Sequence, residues 1–124
     1  MTKRVGIWIR VSTEDQAKGD SPEIHEARAR AYASVKGWQV VELYDLAGLK
    51  GWSGKTIREH PLAKKMLADL KRGHITGLIF SKLARLARNT RELLELADEF
   101  RALGGDMISL HESIDTSTPS GRFF

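Results

Sequence analysis

Two short segments, far apart in the chain, carry the residues best suited to chemistry. Arg10-Val11-Ser12-Thr13 closes the apolar run Val5 to Ile9, and Lys82 to Asn89 reads Lys-Leu-Ala-Arg-Leu-Ala-Arg-Asn. The first places a hydroxyl nucleophile beside a cation, with Gln16 following in the loop as an amide donor. The second offers Arg85 and Arg88 three residues apart, a spacing that aims two guanidinium groups from one helical face at the same anion. A serine with three arginines and no histidine partner points to phosphoryl chemistry rather than acyl transfer. A phosphodiester under attack gathers charge on its nonbridging oxygens, and fixed guanidinium groups stabilise that charge while favouring the ionised form of a nearby hydroxyl.

Each feature also has a plainer reading. A Ser-Thr pair after a strand is commonly a turn or a helix cap, and two arginines on a helix are commonly a solvated face, here with Arg88 pairing Glu92. Position favours chemistry. Arg10 lies two residues before Ser12, so on a continuing strand both side chains project from one face. The arginine block follows directly on the apolar segment Gly77 to Phe80, at the same sheet edge as Ser12 if the crossovers are right-handed.

The elements that must position these residues alternate along the chain. Val5 to Val11 reads as a strand. Ser21-Pro22 supplies an N-cap and a first-turn proline for a helix to about Lys36, where Gly37 stops it. Trp38 to Tyr44 is a second strand by its β-branched and aromatic content. Ala47 to Lys55, with glycines at 48, 51 and 54, reads as a mobile loop. Pro61 starts a helix ending near Gly73, and Gly77 to Phe80 is a short buried strand. From Asn89 to Leu103, Leu93, Ala97 and Phe100 share one side with Arg88, Glu92, Glu95 and Glu99 opposite, an amphipathic helix. Met107 to Leu110 is a fourth strand, followed by a polar loop from Asp115 to Gly121. The order predicts an α/β fold: a mainly parallel central sheet of four or five strands with helices on both faces.

The 124 residues fit one domain. Cysteine is absent, which removes disulfides, a thiol nucleophile and thiolate metal sites, and fits a reducing compartment. His25, His60, His74 and His111 lack metal-ligand spacing. No apolar stretch is long enough to span a bilayer, and the N-terminus lacks the apolar core of a signal peptide, so the expectation is a cytoplasmic protein with no membrane partner. The net charge of +4 hides a segregation: Lys50 to Arg91 holds 11 Lys or Arg against 2 acids. Such a segment favours a polyanion partner. The glycines match neither phosphate-loop fingerprint, which disfavours a nucleotide site.

Taken together, these residues resemble the N-terminal catalytic domain of the serine site-specific recombinases, the resolvase and invertase family with its large-integrase branch. The resemblance rests on Ile9-Arg10-Val11-Ser12-Thr13-Glu14-Asp15-Gln16, the Ser53-Gly54 loop, Leu78-Ile79-Phe80, the Lys82 to Asn89 block and Ile114-Asp115-Thr116. It implies a Ser12 nucleophile that attacks double-stranded DNA, forms a 5′-phosphoserine link and releases a 3′-hydroxyl, without metal or nucleotide cofactor. It implies phosphate-binding roles for Arg10, Arg85 and Arg88, with Gln16, Ser53, Arg58, Lys82 and Asn89 as further DNA or phosphate contacts. It also implies a homodimer that pairs into a tetramer in the full-length protein. Residues 1–124 would then be the catalytic domain, ending before the family's long dimerisation helix and DNA-binding region. Ala84 departs from the pattern, since many members carry an aspartate there. Arg58 is the nearest candidate for the family's remaining active-site arginine, with Lys55 a substitute. The competing reading is a noncatalytic α/β anion-binding or regulatory module. A receiver of that kind needs an acidic cluster at the strand ends, where this chain has Arg10 and Ser12.

Overall fold

The computed structural model describes residues 2–46 and 57–119. The glycine-rich stretch with Lys50, Trp52, Ser53 and Lys55 lies outside the described residues, as do Arg122, Phe123 and Phe124. Five strands form one sheet: β1 Arg4–Ile9, β2 Gln39–Asp45, β3 Gly77–Phe80, β4 Asp106–Ser109 and β5 Ile114–Asp115. Their spatial order is β2-β1-β3-β4-β5. All neighbours are parallel except the last pair, in which Ile108 faces Asp115 across an antiparallel ladder.

The two-residue β5 is the fifth strand of a sheet expected to have four or five, and it takes up Asp115, where the sequence predicts the start of a polar loop. It is too short to show alternation, and Ser113, with φ of 57°, makes the tight return that brings it beside β4. Thr116 then ties it in, its hydroxyl accepting from the Met107 N–H at 2.9 Å.

Strand alternation sorts the core into two layers. Val5, Ile7, Ile9, Ile79 and Ile108 pack on one face against Ala29 and Ala33 of helix α2, Pro22–Lys36. Trp8, Tyr44, Leu78, Phe80 and Met107 fill the other face beneath α3, Pro61–Lys71, and α5, Thr90–Ala102. The small alanines of α2 let that helix lie close to a sheet whose own side chains are β-branched. Gly6 serves the opposite face: a Cβ there would meet the Tyr44 ring at 2.6 Å. The predicted caps of α2 are present, with Ser21 accepting from the Ile24 N–H and Gly37 left-handed at φ 75°.

β1 has β2 on one side and β3 on the other. The chain therefore leaves β1 toward one half of the sheet and returns to build the other half, which opens a crevice at the carboxyl ends of β1 and β3. Ser12 follows β1 and Arg85 follows β3.

Candidate active site

β1 stops at Ile9, where the apolar run ends and two residues short of the predicted strand end at Val11. Ser12 is not on a strand with Arg10 but is the N-cap of a one-turn helix α1, Thr13–Ala17. The cause is local: Ser12 Oγ accepts from the Asp15 N–H at 3.0 Å while Asp15 Oδ2 accepts from the Ser12 N–H at 3.1 Å, a reciprocal capping box. Gln16, expected in a loop, therefore sits on α1, with its side chain exposed.

The arginine block is also broken up. Helix α4 is a single turn, Leu83–Leu86, and Ala87 is extended, so Arg85 and Arg88 do not share a helical face. The chain switches because Asn89 caps the next helix: Asn89 Oδ1 accepts from the Glu92 N–H at 2.8 Å. Glu92, predicted to be on the solvent face of α5, is 3% exposed. Its carboxylate accepts from the backbone N–H groups of Arg88, at 2.8 Å, and Arg58, at 3.3 Å. It thereby fixes two arginine backbones from one buried position.

Arg85 reaches across the crevice to Ser12. Its Nη2 donates to Ser12 Oγ at 2.8 Å and to Asp15 Oδ1 at 3.0 Å, and its Nε donates to Asp15 Oδ2 at 2.5 Å. Lys82 Nζ stands 3.4 Å from Asp15 Oδ1. The Arg85 hydrogen bond, outweighing burial, holds the Asp15 carboxyl well below the usual carboxylate range, and the same contact raises Arg85. Asp15 is thus an acceptor and a counter-charge, and a poor proton acceptor. Ser12 Oγ receives two N–H donors, which engages both of its acceptor sites.

Arg10 holds the other end of α4. Its Nε donates to the Arg85 carbonyl at 3.0 Å and its Nη2 to the Ala84 carbonyl at 2.8 Å. The Trp8 indole adds a third donor, to the same Arg85 carbonyl at 2.9 Å. These groups satisfy the carbonyl end of a turn too short to satisfy its own, and they set the backbone from which the Arg85 side chain extends. Burial, then the charges of Arg85 and Arg88, weaken the hold of Arg10 on its proton, which places three arginines within electrostatic reach of one another.

The structure therefore brings Ser12, Arg10, Arg85, Arg88 and Lys82 to one sheet edge, and it does not bring the Arg58 guanidinium there. That group pairs with Glu95 and Glu99 of α5. The basic stretch from Lys50 to Arg91 does not form one surface among the described residues. Lys65 and Arg72 gather on Asp69, at and just beyond α3, and not at the Ser12 edge. Sequence reasoning passed over Asp15, Trp8 and Glu92. Two of the three had a signal, a Ser or Asn followed three residues later by an acid. The Trp8 contact had none. Among the described residues no cluster of His, Asp or Glu could hold a metal ion, and no helix is long and apolar enough to cross a membrane.

Residues 5–124 match the family model described as Resolvase, N terminal domain. The chain belongs to this family. A DNA-invertase of Escherichia phage P1 is 50% identical over 117 residues, 94% of this chain and 54% of that protein. A probable DNA-invertase of Sinorhizobium fredii is 33% identical over 123 residues, 99% of this chain and 35% of that protein. Among solved structures, the N-terminal catalytic domain of TP901-1 integrase has a TM-score of 0.81 at 36% identity, covering 98% of this chain and 88% of that one. The resolvase-type fold expected from the sequence is thus present. The chain spans about half the length, or less, of the curated relatives it matches.

Proposed function

We propose that this resolvase-family domain is the catalytic part of a DNA-cutting and rejoining serine recombinase, and that Ser12 is its nucleophile. The contact between Arg85 Nη2 and Ser12 Oγ carries the reading, because it puts the hydroxyl beside a guanidinium at the crevice where an α/β sheet receives its ligand. In the proposed step a scissile phosphate takes over Arg85 from Asp15. Ser12 Oγ then bonds to phosphorus as the bond to the 3′ oxygen breaks, leaving a 5′-phosphoserine and a 3′-hydroxyl on the DNA. The free energy of the phosphodiester stays in the serine link, so rejoining reverses the step.

Arg88 is exposed beside this group and serves as a second phosphate donor, while Arg10 acts mainly by holding α4. Gln16, Lys82 and Asn89 border the crevice as DNA contacts. Arg58 joins them by leaving Glu95 and Glu99. Strand exchange belongs to a dimer and tetramer of the longer protein, acting on chromosomal or phage DNA in the cytoplasm. The shares of the relatives' lengths support further segments in that protein.

Duplex binding tests the phosphate surface. The chain should bind duplex DNA weakly and with little sequence preference, with affinity falling as salt rises. Replacing Arg85 and Arg88 together by alanine should remove most of that binding. Unchanged binding in the double variant would take both residues out of the contact surface.

A further inference from the structure

The crevice that holds Ser12 continues past Asp15. On the α2 side of the sheet edge a cavity of about 350 Å³ opens, with Lys18, His25, Arg28, Lys82 and His111 in its walls. Asp15 and Asp20 line it as well, yet they leave the cations only partly engaged. Asp15 is taken up by Arg85, with Lys82 at 3.4 Å, and Asp20 meets Arg28 at 3.4 Å. Both contacts are longer than the roughly 2.7–2.9 Å of a well-formed charge-assisted hydrogen bond. Both side chains keep donors for an incoming anion.

His25 supplies an independent observation. It is 8% exposed, and among the described residues its Nε2 is the buried side-chain nitrogen or oxygen without a hydrogen-bond partner. A buried polar atom left unpaired is costly, and it marks a place where a ligand's polar group is received. Burial pushes the imidazole toward its neutral form. With its proton on Nε2 that ring is a donor, suited to a phosphate oxygen.

We propose that this cavity receives a second phosphate group of the DNA strand bound at Ser12, the neighbour of the phosphodiester under attack, with Lys82, Arg28 and His25 as its donors. The proposal rests on the phosphodiester reading of the Ser12 site. The two anion positions adjoin: Lys82 Nζ and Arg85 Nη2 lie on the same oxygen of Asp15, at 3.4 and 3.0 Å. Two phosphates tied by one sugar engage such a pair of sites with the advantage of a linked ligand, and that fixes which phosphodiester lies at Ser12.

The test follows the His25 imidazole and the Arg85 guanidinium by nitrogen NMR while the chain is titrated with inorganic phosphate and, separately, with a short DNA duplex. The His25 signal should move in both titrations and do so equally in Ser12→Ala. Arg28→Gln, an exposed change on α2, should weaken the phosphate response about tenfold, the loss of one charge-assisted hydrogen bond. If Arg85 responds to DNA while His25 stays still, the second site is wrong and the Ser12 reading stands. If His25 responds to phosphate but not to DNA, the cavity is a free-phosphate site and the proposal is overturned. If Arg85 responds to neither, the Ser12 reading fails and the DNA subsite falls with it.

Discussion

Asp15 grips Arg85 with both carboxylate oxygens, Nε at 2.5 Å from Oδ2 and Nη2 at 3.0 Å from Oδ1. A phosphate presents oxygens to a guanidinium in the same fork geometry, so under the proposed function DNA has to compete with a resident anion for the arginine beside Ser12. The exchange also frees Ser12, because the same Nη2 occupies one of its lone pairs. The proposed mechanism thus couples substrate arrival to release of Ser12 from Arg85.

The ion pair makes a pH prediction. Hydrogen bonding from Arg85, against the opposing effect of burial, lowers the Asp15 pKa in the folded chain. The folded state then binds fewer protons than the unfolded one, so the stabilisation is complete above the unfolded value of about 4 and is lost as pH falls through the folded value. Urea midpoints measured from about pH 5 down to about pH 2 should fall more steeply for the wild type than for Asp15→Asn. Parallel slopes would remove Asp15 from the acid-sensitive groups.

Glu92 should matter more to stability than a helix-surface acid normally does. Glu92→Ala leaves the backbone N–H groups of Arg58 and Arg88 without their buried acceptor, a loss of about 2–3 kcal/mol in chemical denaturation. Glu92→Gln keeps an acceptor oxygen and should recover part of it. Equal stabilities for wild type and Glu92→Ala would mean that water replaces the carboxylate.

Arg10 should behave as an arginine and not simply as a positive charge. Arg10→Ala should slow formation of a Ser12–DNA link by about a hundredfold, because Arg85 loses its support where charge develops. Arg10→Lys should restore little, since one ammonium does not reproduce a planar fork on the Ala84 and Arg85 carbonyls. Rates of single-turnover cleavage with DNA saturating separate this from binding. Full recovery with lysine would show that charge alone is what the site needs.

Gly6 packs under the Tyr44 ring. Gly6→Ala should destabilise the chain by about 1–3 kcal/mol through overpacking, visible as a lower urea midpoint. An unchanged midpoint would mean that Tyr44 moves aside at no cost while keeping its 2.7 Å hydrogen bond to Asp69.

The framework could be read from sequence because its signals are local. Ser21-Pro22 and Gly37 bracket α2, and the apolar run Gly77 to Phe80 is short enough to be only a buried strand. That Ser12 and Arg85 come to one sheet edge could be read for a similar reason, since both segments directly follow apolar strands that the fold makes neighbours. What was hidden depends on contacts across the crevice. The grip of Asp15 on Arg85 joins residues 70 positions apart, and the Trp8 indole reaches a carbonyl 77 positions away. The split of Lys82 to Asn89 into a turn and a cap was locally encoded by Asn89 and Glu92, but the three-residue arginine spacing masked it. Helical periodicity likewise placed Glu92 on the polar face, and only the backbone N–H groups of Arg58 and Arg88 explain its burial.

Ser12 should form a covalent bond to DNA, and mass spectrometry of the trapped complex reads out that bond. The proposed full-length recombinase is incubated with its DNA site, nicked so that rejoining is prevented, and the adduct is digested and mapped. The 5′ phosphate should lie on Ser12. Ser12→Ala should yield no adduct while DNA binding is largely kept, since the arginines supply most of the phosphate attraction. A phosphoryl link on any other residue, or cleavage by Ser12→Ala, would contradict the mechanism.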